Sequence, residues 1–136
     1  MIHDNVFIGK NAFVGDRCKI QQYAYIPDGV IICSDVFVGP HTVFCNDLHP
    51  PSNGQWKKEP QTIVRPFASI GANVTLLPGL NIGKHSVVGA GAVVTKDVLN
   101  YSMVVGNPAH HIGWVCVCGQ RLESGGKPGE LCNDCR

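Results

Sequence analysis

The chain has 136 residues, a net charge of +1 and 15% charged residues, well below the ~25% of an ordinary soluble domain. Without a surplus or cluster of Lys and Arg it does not read as a nucleic-acid binder. No apolar run reaches the ~20 residues of a membrane span, and a hydrophobic content of 44% argues against disorder. Glycine is abundant at 16 residues, and Val (17) and Ile (10) together far outnumber Leu (7). That balance favours strands joined by tight corners.

From the N-terminus, Met1-Ile2-His3-Asp4-Asn5 lacks the basic start and apolar run of a signal peptide, which predicts a cytoplasmic protein. A six-residue period begins at once. Ile2, Ile8, Val14, Ile20, Ile26, Ile32, Val38 and Phe44 are all large and apolar. Four residues after each lies a smaller one: Val6, Ala12, Cys18, Ala24, Val30, Val36, Thr42 and Leu48. Between them fall turn residues, as in Ile8-Gly9-Lys10-Asn11. Each hexapeptide reads as one short strand plus one corner, with a large and a small residue pointing inward. Such a rung cannot bury its own apolar face and must stack on neighbours in parallel ladders. The chain starts on a repeat position with no cap, so either further hexapeptides precede Ile2 or this is a short variant.

The phase then breaks at a Pro-rich, polar stretch, His49 to Ile63, of the length and composition of an extruded functional loop. It resumes at Val64, Ile70, Leu76, Ile82, Val88 and Val94, with Ala68, Val74, Leu80, Ser86, Ala92 and Val98 as the smaller series. Three corners close one coil, so these hexapeptides predict between four and five coils of an all-β solenoid. Gly106-Asn107-Pro108-Ala109 follows. The last 21 residues carry Cys116-Val117-Cys118 and Cys132-Asn133-Asp134-Cys135 around a polar, glycine-rich run that cannot form a core. Four thiolates in two close pairs can hold one tetrahedral Zn²⁺ with no open position, a structural site. Of the other cysteines, Cys18 occupies an inward slot, while Cys33 and Cys45 read as corner or surface thiols.

The repeat, the mid-chain loop, the run Gly89-Ala90-Gly91-Ala92-Val93-Val94-Thr95-Lys96-Asp97-Val98 and the Gly106-Asn107-Pro108-Ala109 end resemble the hexapeptide-repeat acyltransferases. Val36-Phe37-Val38-Gly39-Pro40, Phe44-Cys45-Asn46-Asp47 and Ile112-Gly113-Trp114 are similar to N-acetyltransferases of nucleotide-linked amino sugars in surface polysaccharide synthesis. The resemblance implies a left-handed parallel β-helix over residues 1–113, followed by a zinc-binding tail over 114–136. It also implies a homotrimer with sites between subunits, acetyl-CoA as co-substrate and a small sugar acceptor, acetylated on an amino group rather than, as the second choice, a hydroxyl.

The same resemblance suggests roles residue by residue. His49, followed by a proline, matches the general base of sugar acetyltransferases, and an imidazole titrates in the useful range. Asn46 and Asp47 would hold the acceptor. A backbone N–H near Ala72 would face the oxyanion. Ala90 would contact the pantetheine arm, Thr95 and Lys96 the nucleotide end, and Asn107 and Pro108 the adenine. His110 stands where relatives carry Arg or Lys. His41 sits at an ordinary corner and reads as structural. Two other readings are a non-catalytic β-helical scaffold and a metal enzyme like the gamma carbonic anhydrases. The latter needs three converging histidines, and a close His pair at the expected place is missing.

Overall fold

Each hexapeptide forms a two-residue strand and a corner, in a computed structural model that describes all 136 residues and contains no helix. The strands are β1 (Phe7–Ile8), β2 (Phe13–Val14), β3 (Lys19–Ile20), β4 (Tyr25–Ile26), β5 (Ile31–Ile32), β6 (Phe37–Val38) and β7 (Val43–Phe44). After the loop come β8 (Ile63–Val64), β9 (Ser69–Ile70), β10 (Thr75–Leu76), β11 (Asn81–Ile82), β12 (Val87–Val88) and β13 (Val93–Val94). Two longer strands, β14 (Ser102–Val105) and β15 (His110–Trp114), end the solenoid as an antiparallel hairpin.

Every third strand stacks on the last. Face one is β1-β4-β7-β10-β13, face two is β11-β8-β5-β2, and face three is β15-β14-β12-β9-β6-β3. All pairings except β14–β15 are parallel, in register, as in Phe37↔Ser69 and Leu76↔Val94. The result is a three-sided parallel β-solenoid.

The two predicted inward series form the core. Ile20, Ile26, Ile32, Val38, Phe44, Val64, Ile70, Leu76 and Ile82 are fully buried, with Ala24, Ala68, Val74 and Ala92 between them. Polar members of the small series are satisfied internally. Thr42 Oγ1 donates to the Gly39 carbonyl at 2.8 Å, and Ser86 Oγ to the Gly83 carbonyl at 2.6 Å. Three inward positions differ from expectation. Ile2 and Ile8, in the first coil of the sequence, are 51% and 38% exposed. Leu48 is exposed because the chain has already left the solenoid. The loop spans 45–62, and Ile63 opens β8 rather than ending the loop. Thr62 fills the inward small slot.

Corners set the third dimension. Corner one joins face three to face one, corner two joins face one to face two, and corner three joins face two to face three. Non-glycine residues take positive φ there, including Tyr23, His41, Phe67, Asn73 and His85, a conformation that costs about 1–2 kcal/mol for an L-residue. Stacking along the corner offsets part of that cost. Tyr23 lies 5.0 Å from His41 at corner one, and Phe67–His85–Tyr101 form a continuous stack at corner three with spacings of 4.7 and 5.1 Å. Below that stack, Arg17 donates two hydrogen bonds to the Asp35 carboxylate. His41 is therefore a corner residue, as its position in the repeat suggests.

Candidate active site

Corner one supplies backbone donors. Ala72 and Ala90 occupy it in successive coils, linked by the Gly91 N–H donating to the Ala72 carbonyl at 2.8 Å. Neither the Ala72 nor the Ala90 N–H makes a backbone hydrogen bond. Glycine makes this stacking possible: a Cβ on Gly71 would lie 2.7 Å from Ala90 N, and one on Gly39 2.6 Å from Ala72 N. Unengaged N–H groups on a rigid corner are what a developing oxyanion requires.

The hairpin turn borders the same face. The Val93 N–H donates to the Gly106 carbonyl at 3.0 Å, and the Ala109 N–H to the Val93 carbonyl at 2.9 Å. This holds the exposed Asn107 and Pro108, joined by a cis peptide, beside β13. Thr95 and Lys96 follow β13 at corner two, half-buried and exposed respectively.

Corner two also carries the loop root. Phe44 anchors β7 in the core, and Asn46 and Asp47 are half-buried just after it. The loop folds back on its own coil. The Trp56 indole N–H donates to the Asn46 carbonyl at 3.4 Å, the Gln61 amide to the Gly29 carbonyl at 2.7 Å, and the Gly79 N–H to Thr62 Oγ1 at 3.0 Å. A cavity of ≈ 520 Å³ opens beneath it, lined by Lys10, Asp28, Cys45, Asn46, Trp56 and Lys58 among others. Burial pushes the Cys45 thiol up, so it stays protonated and is a poor nucleophile. His49 is exposed, outside this lining, with no hydrogen bond fixing its ring.

The expected site residues thus fall along one face. Ala72 and Ala90 mark one border, Asn107 and Pro108 flank β13, and Asn46, Asp47, Thr95 and Lys96 mark the other border. One chain does not gather them into a closed pocket. Lys10, Trp56 and Lys58 escaped the sequence reading. A signal existed for Lys10: it precedes Asp28 by 18 residues, one full coil, and its N–H donates to the Asp28 carboxylate at 2.8 Å.

The cysteine pairs converge. The thiol sulfurs of Cys116, Cys118, Cys132 and Cys135 all lie within 4.8 Å of one another, and Cys118 Sγ is 3.7 Å from Cys132 Sγ. An edge of about 3.8 Å is what a tetrahedron with ~2.3 Å Zn–S bonds has, so the donor set fits a tetrathiolate ion. Backbone N–H groups of Cys118 and Cys132 favour the Cys116 thiolate, whose pKa falls to about 6, while its neighbours push Cys135 up to about 12. Four thiols this close cannot all ionise unless a cation joins them. The cluster could therefore hold a metal ion.

Two family profiles match, one described as bacterial transferase hexapeptide (six repeats) over residues 11–46 and one as hexapeptide repeat of succinyl-transferase over 68–96. Over those two stretches the chain carries the hexapeptide repeat of bacterial transferases. Over 63 residues, 46% of this chain and 33% of the relative, it is 48% identical to a dTDP-3-amino-3,6-dideoxy-alpha-D-galactopyranose 3-N-acetyltransferase of Aneurinibacillus thermoaerophilus. It is 34% identical to the bifunctional protein GlmU of Thermotoga maritima over 108 residues, 78% of this chain and 22% of that protein. The chain spans about half the length or less of the curated relatives it matches. A structure of a variant GDP-perosamine N-acetyltransferase from Caulobacter crescentus, in complex with CoA and GDP-perosamine, shares the fold with a TM-score of 0.67 at 24% identity, covering 80% of this chain and 45% of that one. No helix of this chain is long and apolar enough to cross a membrane.

Proposed function

We propose that this chain is an acetyl-CoA-dependent transferase that acetylates the amino group of a nucleotide-linked sugar for surface polysaccharide, in the cytoplasm. The carrying observation is the row along face one: unengaged corner N–H groups at one border, the hairpin turn beside β13, and the loop root with Asn46 at the other. The amino-sugar N-acetyltransferase at 48% identity supports the substrate class. An open row of this kind needs a second surface to close it. The outward Phe7, Tyr25 and Val43 of face one, two of them stacked at 5.0 Å, support a self-associating homotrimer with shared sites.

In this reading, Asp47 and Asn46 hold the acceptor, an arrangement that favours an amine through charge. The amine attacks the thioester carbonyl, and a C–N bond forms as the C–S bond breaks. His49 takes the amine proton and returns it to the departing thiolate of CoA. The Ala72 N–H donates to the oxyanion. Ala90 meets the pantetheine arm, Thr95 and Lys96 the phosphates, and Asn107 and Pro108 the adenine. The four cysteines hold a structural Zn²⁺; with all four positions occupied by protein, it takes no part in the reaction.

The test is thiol release from acetyl-CoA with a panel of amino-sugar nucleotides. Turnover with one of them is the expected outcome. No release with any acceptor, together with no CoA binding by calorimetry, sinks the enzyme reading. Undiminished turnover in His49→Ala removes only the base assignment.

A further inference from the structure

The cysteine tail is joined to the hairpin without a linker. β15 ends at Trp114, and Val115 and Cys116 follow directly, both fully buried. The Val115 N–H donates to the Tyr101 carbonyl at 2.8 Å, and Val115 bridges antiparallel to Arg121. The Leu122 N–H donates to the Trp114 carbonyl at 2.8 Å. The Arg121 guanidinium donates to the Ile112 carbonyl. It also lies so close to β15 that a Cβ on Gly113 would stand 2.9 Å from its Nε.

The hairpin needs such support. β15 is the edge of face three and pairs only with β14. Its own ties to β14 include the Ser102 hydroxyl, 2.6 Å from His111 Nδ1. The tip of the hairpin is the Gly106–Ala109 turn beside β13. The tail has almost no apolar interior: beyond Val115, only Cys116 and Cys132 are buried in it. Its backbone is held chiefly by tight turns around the thiols, such as the Gly119 N–H to the Cys116 carbonyl at 2.8 Å and the Cys135 N–H to the Cys132 carbonyl at 3.0 Å.

We infer that the metal-held tail is a positioning element for the hairpin: ligation at the four cysteines keeps Val115, Arg121 and Leu122 against β15 and so fixes the Gly106–Ala109 turn at the acyl-donor end of face one. This rests on the zinc and acetyl-CoA readings above. Without the ion nothing ties the four sulfurs together, the tail loses its turns, and the edge strand frays from its open side.

Four preparations of the full chain decide it: zinc-loaded, chelated, Cys132→Ser and Arg121→Ala. Zinc per chain, amide hydrogen exchange and CoA affinity by calorimetry are measured on each. Loss of zinc should raise exchange across 102–114 by about tenfold or more, while residues 69–94 stay protected. Arg121→Ala keeps all four thiols and should retain zinc, yet loosen 102–114 in the same direction. CoA affinity should fall by about tenfold in each loosened form. Unchanged exchange over 102–114 while 116–135 opens would make the tail an independent appendage and overturn the inference. Zinc absent from the purified chain overturns it at its metal premise. Absent CoA binding in the zinc-loaded chain sinks the donor assignment alone, and the exchange data still decide the mechanical link.

Discussion

The solenoid and the tail solve the same problem, how a low-charge chain holds its shape, in opposite ways. In the solenoid stability is spread over repeated layers, with 21 buried residues in one column and each rung resting only on its neighbours. In the tail it is concentrated at one point, four sulfurs within 4.8 Å. A distributed structure degrades locally when a part is removed; a centralised one fails whole. The stack at corner three is where the two meet, because the Val115 N–H donates to the carbonyl of Tyr101, which stacks on His85.

The largest effect that would sharpen this contrast is loss of a ligand. On the zinc reading proposed above, Cys132→Ser should abolish tail structure altogether, since a structural zinc site carries about 10–16 kcal/mol of apparent binding energy. Exchange over 116–135 would become unprotected while the main melting transition persists. A melt in which tail and solenoid unfold together as one unit would break the contrast. Next comes Leu76→Ala, at a fully buried position of β10. It should cost about 2–5 kcal/mol in a urea melt, with exchange rising most in adjoining rungs. A uniform rise along all coils would show that the solenoid is not built from neighbour contacts. Thr42→Val is smaller. The hydroxyl donates to the Gly39 and Gly71 carbonyls at 2.8 and 3.1 Å, and its loss should cost about 1 kcal/mol.

The smallest effect is a dependence on pH. Burial, then Lys84, holds the His85 imidazole below its ordinary value, with the Val117 backbone opposing, and His85 Nδ1 is buried without a partner. Above about pH 6.5 the ring is neutral folded or unfolded and no proton is exchanged. As pH falls below that, the unfolded chain takes up a proton that the folded one resists, so stability drops until the folded value is reached. His85→Phe, flanked by Phe67 and Tyr101 in the stack, should remove this part of the acid-side loss in Tm. An unchanged pH profile would show that His85 is not the source.

Much of this was legible in the sequence because the period is short and strict. A large residue every six, with a small one four later, gives strand, corner and inward direction together. The paired cysteines were equally legible despite the single residue between Cys116 and Cys118. Properties that depend on neighbouring coils were not. The exposure of Ile2 and Ile8 depends on the coils they stack against, and that of Leu48 on the chain's earlier departure at corner two. The corner ladders lie one coil apart, so Arg17 with Asp35 at a spacing of 18 was findable. The closer His85–Tyr101 stack breaks that spacing and was not. The contact of Arg121 with β15 had no sequence signal, since it joins a glycine-rich run to a strand through a single side chain. His49, Asn46 and the corner alanines came from resemblance; their separation across one face is a property of the wound chain.

The loop at corner two has an evolutionary meaning. It departs after β7 and returns before β8, yet Thr75 still pairs with Val43 and Ile63 with Ile31, as if nothing intervened. Any segment that brings Thr62 back to its slot leaves every ladder intact, and lengthening it carries only a slowly growing entropic penalty. Such a port lets loops be exchanged or lengthened while the spine that carries them stays under separate selection.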